Sequence, residues 1–375
     1  MKKILYLLSH PIQYQSPLIK SISLEKDLKL KVLYESIFSL KKNYDREFNK
    51  KIKYDVDLIN NYEFDFINKK KNINFFIYIF KIKKKLNDFK PDFVWLHGYE
   101  NIRKIIVIII CKFLKIKVLV RGESNLIEKG NFYIFTRTLL FAFLNLFVFH
   151  YMAIGKKNYQ FYCKFINKNK VSLFPYVVDN NFFQKKISKN NKYELKKKYK
   201  IKNNTFVFLY SGKLIKKKNV QILIESFTEL KIKNSILFIV GDGSEMRRLK
   251  KQFTQKNIIF MGFVNQSKLV DLYNLSKIFI LPSKYEPWGL SVNEAMNCKN
   301  ALILSSNVGC GADLLKSNFN GFLFKNDNKS DLKMKMLKII SNKNKLRTMM
   351  KNSKKIIDRW DINYSKRLFL KILDK

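Results

Sequence analysis

The segment LPSKYEPWGLSVNEAM, residues 281–296, holds the densest set of side chains able to do chemistry. An apolar strand ends at Leu281, a loop offers Glu286, Gly289 permits close backbone approach, and a helix begins near Leu290. The free N–H groups at such a helix start, with Leu290 and Ser291 first, form an anion site that the macrodipole assists. Glu294 lies about one turn inside the helix, so a carboxylate flanks the anion site on each side. That arrangement suits a ligand with a diphosphate in its middle and hydroxyl-rich rings at both ends, because carboxylates accept paired hydrogen bonds from vicinal hydroxyls. A nucleotide sugar has that shape. The plainer reading of the same pair is two exposed acids near a helix start, where the dipole favours them anyway.

Other candidate residues also fall where apolar runs end. In SGKLIKKKN, residues 211–219, Gly212 allows a turn, and Lys213 and Lys218 are cations able to meet phosphate oxygens. Lys216 and Lys217 are assigned to solvent. The run is not a P-loop, since G-x-x-x-x-G-K-[ST] is absent. Gly241 follows the run ILFIV in a Gly-Asp-Gly turn, which serves either structure or a ligand. In MGFV, residues 261–264, Gly262 and Phe263 are placed to meet a base through their backbone. In the first half, His97 ends the run DFVWLH, as a ligand contact or as a satisfied structural histidine. Arg121 and Glu123, in RGESN, either hold acceptor hydroxyls or pair with each other. His10, after the first apolar run, is placed on the same acceptor side.

These residues need elements to position them. Strand-length apolar runs at 4–9, 29–35, 92–97, 117–121, 147–154 and 171–175 alternate with helical stretches such as 75–86 and 102–114. A basic, asparagine-rich linker at 185–204 follows, and the alternation restarts. Strands at 206–211, 236–240, 258–261, 277–281 and 301–305 enclose helices at 220–230, 244–253, 267–275 and 290–297, and 301–305 closes the series. Continuous apolar strands separated by helices imply parallel sheets covered on both faces. The expected class is α/β, with two Rossmann-like doubly wound domains facing each other across a cleft. Ligands in such sheets bind at the carboxyl ends of strands.

Composition agrees with a two-domain globular chain: 375 residues, 47% hydrophobic, with only 12 glycines and 6 prolines. The net charge of +45 is nearly all lysine spread along the chain, so A/T-rich codon bias accounts for it first. An anionic membrane surface comes second and nucleic acid third, because base and phosphate readers concentrate arginine on one face. Cys111, Cys163, Cys298 and Cys310 show no C-x-x-C pair and read as reduced, mostly buried thiols of a cytoplasmic protein. The apolar stretch 139–154 is shorter than the roughly 20 residues a membrane span needs. It is read as a buried helix running into a buried strand, with an in-plane membrane contact as the alternative.

In the second half, SGKLIKKKN, IVGDGSEMRRLKK, IIFMGFV, SKLVDLYNLSKIFILPS and EPWGLSVNEAM follow one another in a fixed order. This series resembles the donor-binding domain of retaining glycosyltransferase family 4 (glycosyl transferases group 1), of the GT-B fold. The resemblance implies a donor domain at 185–357 and an acceptor-side domain at 1–184, with a C-terminal helix at 358–375 packing back onto the latter. It implies that Glu286 contacts the donor sugar, Glu294 the ribose, and Lys213 and Lys218 the diphosphate, with His97 facing the sugar. Lys213 stands where the family more often has arginine, which keeps the charge but loses the bidentate fork. Cys298-Lys299-Asn300-Ala301 stands where the family usually has a glycine and a proline. The opening SHPIQYQSPL lacks the family's glycine pair and resembles a subset associated with surface polysaccharide synthesis.

The function so implied is metal-independent transfer of a sugar, with retention, from a UDP- or GDP-linked donor to a glycan or lipid-linked acceptor. No cofactor and no metal are expected, and the location implied is the cytoplasm or the cytoplasmic face of the inner membrane. The alternatives are a nucleotide-sugar epimerase of the same fold and a basic nucleic-acid-binding protein.

Overall fold

A computed structural model describes residues 1–40, 43–45, 50–68, 73–127 and 129–375. In chain order the first elements are β1 (Lys2–Leu8), α1 (Ser16–Ser23), β2 (Leu28–Tyr34), β3 (Asn43–Asp45), β4 (Lys50–Ile52), β5 (Glu63–Phe66), α2 (Phe75–Phe89) and β6 (Phe93–His97). Then come α3 (Ile102–Phe113), β7 (Lys117–Gly122), α4 (Asn131–Leu144), β8 (His150–Ala153), α5 (Lys156–Phe165), β9 (Val171–Leu173), α6 (Asn180–Phe183) and α7 (Lys189–Lys198). The remainder is β10 (Phe206–Ser211), α8 (Val220–Leu230), β11 (Ser235–Val240), α9 (Met246–Gln252), β12 (Ile258–Gly262), α10 (Gln266–Leu275), β13 (Ile278–Leu281) and α11 (Leu290–Asn297). It ends with β14 (Ala301–Ser305), α12 (Gly311–Leu314), β15 (Gly321–Phe324), α13 (Lys329–Ile340), α14 (Lys343–Ile357) and α15 (Ile362–Leu373).

The chain divides into two compact units. The first comprises Met1–Asn43, Asp57–Val177 and Ile362–Lys375. Its parallel sheet has the order β5-β2-β1-β6-β7-β8-β9. Tyr6 of β1 pairs with Trp95 of β6, and the two rings stack at 3.5 Å in the buried centre of the sheet. Helices α2, α3, α4 and α5 supply Ile82, Ile108, Phe141 and Phe161 to one core on a single face of the sheet. The other face takes α1 and α15, where Phe369 packs on Trp95 and Phe174.

The second unit comprises Tyr44–Val56 and Val178–Asp361. Its parallel sheet runs β12-β11-β10-β13-β14-β15, with β11, β13 and β14 buried along their whole length. Segment Tyr44–Val56 joins this unit because Asn265 Nδ2 donates to Lys53 O at 3.2 Å and Ser267 N donates to Asp55 Oδ2 at 3.3 Å. Strand order reverses beside β10 in this sheet and beside β1 in the first, which marks the two positions where doubly wound sheets open a crevice.

Three sequence expectations are corrected. The linker 185–204 contains helix α7, which buries none of its residues and is started by Ser188, whose side chain accepts from Asn191 N. A cap and helix-favouring lysines form it without an apolar stripe. The strand series does not close at 301–305, because β15 extends the sheet beyond β14. Helix α4 is not buried throughout: only Phe141 and Leu144 are buried, and its outer face is exposed. The cysteine reading agrees with the structure, in which all four thiols are free, and burial pushes Cys111 and Cys298 up to about 12.

Candidate functional site

In the second unit, the loops after β10, β11, β12 and β13 lie at the carboxyl edge of one sheet, the first three on one side of the strand-order reversal and the last on the other. Gly212 and Gly241 are packed together there. Gly212 N donates to Val240 O, and a Cβ on Gly241 would stand 1.8 Å from Gly212 O. Gly241 is therefore required by the contact between two loops, which explains that glycine without a ligand. Gly262 and Phe263 continue this edge at the end of β12.

After β13 the chain turns through Glu286 and Gly289. Gly289 has φ +102°, a conformation other residues adopt only with strain, and it starts α11 with no side-chain cap. The N–H groups of Leu290 and Ser291 thus stay available to an anion, while Val292 N bonds Gly289 O. The loop 307–311 braces this turn from behind. Gly309 N donates to Glu286 O at 2.9 Å, Cys310 N to Trp288 O at 2.9 Å, and a Cβ on Gly309 would meet Pro287 O at 1.8 Å. That brace lies outside every motif read from the sequence.

Lys218 sits in a 3-10 turn and reaches Glu286, its Nζ in contact with Oε2. Both side chains are largely buried, and Ser283 Oγ approaches the same carboxylate oxygen at 3.5 Å. The cation proposed for phosphate and the acid proposed for sugar are therefore neighbours. Lys213 is half-buried and accepts a bond at its carbonyl from Tyr210, whereas Lys216 and Lys217 are exposed. Glu294, on the first turns of α11, accepts from Tyr273 OH at 2.8 Å. Burial pushes its carboxyl up to about 7, against the pull of that hydrogen bond. Tyr273 comes from α10 and has no spacing signature that would have pointed to it.

The turn after α11, Cys298-Lys299-Asn300-Ala301, forms without a glycine. Lys299 takes the left-handed conformation (φ +60°), its N–H donates to Met296 O, and Asn300 N donates to Ala295 O at 3.0 Å. This is a Schellman ending with lysine at the position glycine favours. The buried Asn300 amide supplies further bonds to Tyr273 O and Ser276 O.

In the first unit, His97 and Glu123 meet through a residue that the sequence did not single out. Tyr176 OH donates to Glu123 Oε1 and lies 3.1 Å from His97 Nε2. A phenol has one proton, so His97 must carry its own on Nε2, leaving Nδ1 as an acceptor. That Nδ1 is buried and has no hydrogen-bond partner. Burial lowers the imidazole pKa, against the carboxylate of Glu123, which keeps the ring neutral near pH 7.

Arg121 does not join the group as an acceptor contact. It is fully buried, donates to Phe174 O and Pro175 O at 2.9 and 3.0 Å, and stacks on Phe174 and Tyr176. It fixes the segment that carries Tyr176. Nor does Arg121 form an ion pair with Glu123; the side chain beside Glu123 is His97, 3.8 Å away. His10 lies after β1, with Nδ1 2.9 Å from Ser9 Oγ and its ring edge-on to Phe38. Among the described residues, no group of three His, Cys, Asp or Glu is placed to hold a metal ion.

Residues 191–356 match the family described as glycosyl transferases group 1. The chain is 31% identical, over 42% of its own length and 42% of the relative's, to the UDP-Gal:alpha-D-GlcNAc-diphosphoundecaprenol alpha-1,3-galactosyltransferase of Escherichia coli. It is 24% identical, over 80% of each chain, to the N,N'-diacetylbacillosaminyl-diphospho-undecaprenol alpha-1,3-N-acetylgalactosaminyltransferase of Campylobacter jejuni. The chain spans less than half the length of the first curated relatives it matches. Among solved structures, the Anabaena protein HepE in complex with UDP and glucose is similar over the full length of both chains, with a TM-score of 0.77 at 16% identity. That likeness is one of fold, the GT-B fold of two parallel α/β sheets.

Proposed function

We propose, from the premise that residues 191–356 match the glycosyl transferases group 1 family, that the chain moves a sugar from a nucleotide-sugar donor to a glycan or lipid-linked acceptor. Retention at the anomeric carbon, and a role in surface polysaccharide or lipopolysaccharide synthesis, belong to the same reading. The observation that carries it is the contact of Lys218 with Glu286 beside the uncapped start of α11. A sugar joined to a diphosphate needs a hydroxyl acceptor and a phosphate-binding cation within one bond's reach of each other. Glu286 and Lys218 have that relation, and the amides of Leu290 and Ser291 add donors for the diphosphate.

In this mechanism the departing nucleoside diphosphate gathers negative charge, which Lys213, Lys218 and the helix amides offset without a divalent ion. Glu294 accepts from the ribose. A uridine nucleotide is the favoured donor base, supported by the UDP and UDP-glucose complexes of HepE and by the UDP-Gal in the name of the Escherichia coli relative. A lipid-linked acceptor is supported by the diphosphoundecaprenol named for both curated relatives. No helix among the described residues is long and apolar enough to cross a membrane.

Thermal unfolding in the presence of UDP, GDP and their sugars tests the donor assignment. A ligand at 100 times its Kd adds about 2.7 kcal/mol of stability. Stabilisation by UDP-sugars followed by release of UDP only when a lipid-diphosphate saccharide is added supports the reading. Conversion of the sugar without acceptor would make the protein an epimerase. No response to any nucleotide sugar would overturn the reading.

A further inference from the structure

The outer face of α4 is an unusual surface for a chain with 74 Lys and Arg. Phe132, Phe135, Leu139, Phe143 and, just past the helix, Leu146 are 80, 60, 57, 41 and 66% exposed. Their spacing of three and four residues places them in one stripe about 20 Å long. The one charged residue of α4, Arg137, is largely buried and pairs with Glu100 at 2.9 Å. No Lys, Asp or Glu lies on α4, so this face is apolar against the composition of the whole protein.

The stripe ends in a basic pocket. A recess of about 600 Å³ lies at the carboxyl end of α4. Leu146 and Phe147 line it, together with Lys112, Lys115, Lys117 and Lys170. Lys375 completes its rim, and no Asp or Glu is among its lining residues. Buried His150 stands at its base, 2.9 Å from Ser172 Oγ; burial first, and then Lys375 and Lys170, hold its imidazole down to about 4. The positive charge of the pocket is therefore carried by lysine alone near neutral pH.

This pocket is not part of the site described above. It opens at the starts of β7 and β8, whereas His97 and Glu123 lie at or beyond the carboxyl ends of β6 and β7.

We propose that the α4 stripe and the lysine pocket at its end form one docking surface for an anionic phospholipid bilayer. The aromatic side chains enter the boundary between headgroups and acyl chains, and the pocket receives a lipid phosphate. An amphipathic helix lying in the plane of the interface has this pattern of an apolar face bordered by lysines. Neither half suffices alone: apolar insertion fixes depth, and the lysines select the anionic leaflet. The proposal rests on the lipid-linked acceptor of the reading above for its purpose, though its test does not depend on sugar transfer.

Flotation with vesicles of phosphatidylcholine, with and without phosphatidylglycerol, tests it on the full chain. The unmodified protein binds the mixed vesicles at low salt and is released at high salt. Phe135→Ala/Leu139→Ala/Phe143→Ala lowers the partition coefficient at least ~10-fold. Lys112→Gln/Lys115→Gln/Lys117→Gln lowers it roughly 100-fold, since each lysine near an anionic leaflet contributes about a factor of five. Lys192→Gln/Lys197→Gln/Lys198→Gln on exposed α7 removes the same charge and leaves binding within about threefold. All three variants keep their circular dichroism and their response to nucleotide, which separates failure of this surface from failure of the proposed activity. Equal loss in the α7 control would reduce the effect to bulk charge and overturn the proposal. So would an absence of vesicle binding, or a dimer in solution that the α4 variant dissociates, which would make a second copy the occupant.

Discussion

Tyr273 OH donates to Glu294 Oε2 at 2.8 Å, and the carboxyl it touches is held near pH 7 by burial. A group ordinarily ionised throughout the physiological range therefore titrates within it. The ionised form is the one that accepts from two ribose hydroxyls. Affinity for an intact nucleotide sugar, whose diphosphate diester does not titrate there, should fall up to tenfold per pH unit below about 7 and level off above it. Glu294→Gln should flatten the profile. Calorimetric titrations at pH 5.5 to 8.5, roughly the range over which such a group changes charge, provide the check.

The same shift makes a statement about stability. A carboxyl raised from 4.5 to about 7 binds its proton more tightly in the folded state. Its contribution is complete below 4.5 and is lost as pH rises through 7. Glu294→Gln should accordingly gain on the parent protein above pH 7, by up to about 3 kcal/mol, with no gain near pH 4. Melting temperatures of both proteins across that range would show it, and a constant difference would place the carboxyl in ordinary solvent.

At the carboxyl edge of the sheet Lys218 is largely buried and Lys213 half-buried, while Lys216 and Lys217 are exposed. Replacing the first pair by alanine should lower turnover ~10²-fold or more, on the scale of losing preorganised charge at a leaving group. Replacing the second pair should leave it within about twofold, as solvated charges are worth little. Steady-state kinetics on the two double variants distinguish a positioned pair from a basic run acting in bulk.

Lys299 occupies a left-handed conformation at the Schellman ending of α11, where glycine has no steric cost. Lys299→Gly should therefore stabilise the protein by up to about 1 kcal/mol, seen as a higher denaturant midpoint at unchanged slope. A destabilised variant would mean that the lysine side chain makes a contact worth more than the backbone strain it relieves.

Much of the second unit was legible because its candidate residues stand at the ends of apolar strands, and strand ends in a parallel sheet share one edge. Local pattern carries that information. It does not carry the pairings that cross the chain. Tyr176 joins His97 to Glu123 from 79 and 53 positions away, and Tyr273 reaches Glu294 from 21 away. The buried role of Arg121 was equally out of reach, because an arginine at a strand end has the same sequence signature whether it faces solvent or backbone carbonyls. Helix α7 reads as linker in the sequence because a helix with no buried face has no periodicity to detect. The exposed face of α4 escaped for the opposite reason: with apolar residues on all sides, the sequence alone does not say which side the core takes.

The central claim is that a donor lies across the start of α11 with its sugar at Glu286 and its ribose at Glu294. The most direct measurement is the affinity for free UDP of Glu286→Gln against that of Glu294→Ala, each in a variant shown to be folded. The account predicts an asymmetry. Glu294→Ala loses roughly 1–3 kcal/mol of binding, as for hydrogen bonds to a charged group. Glu286→Gln binds UDP as well as the parent protein or better, since Lys218 is released from its carboxylate partner, yet its sugar transfer falls at least ~10²-fold. Equal losses of UDP affinity in both variants, or full transfer activity in Glu286→Gln, would contradict the account.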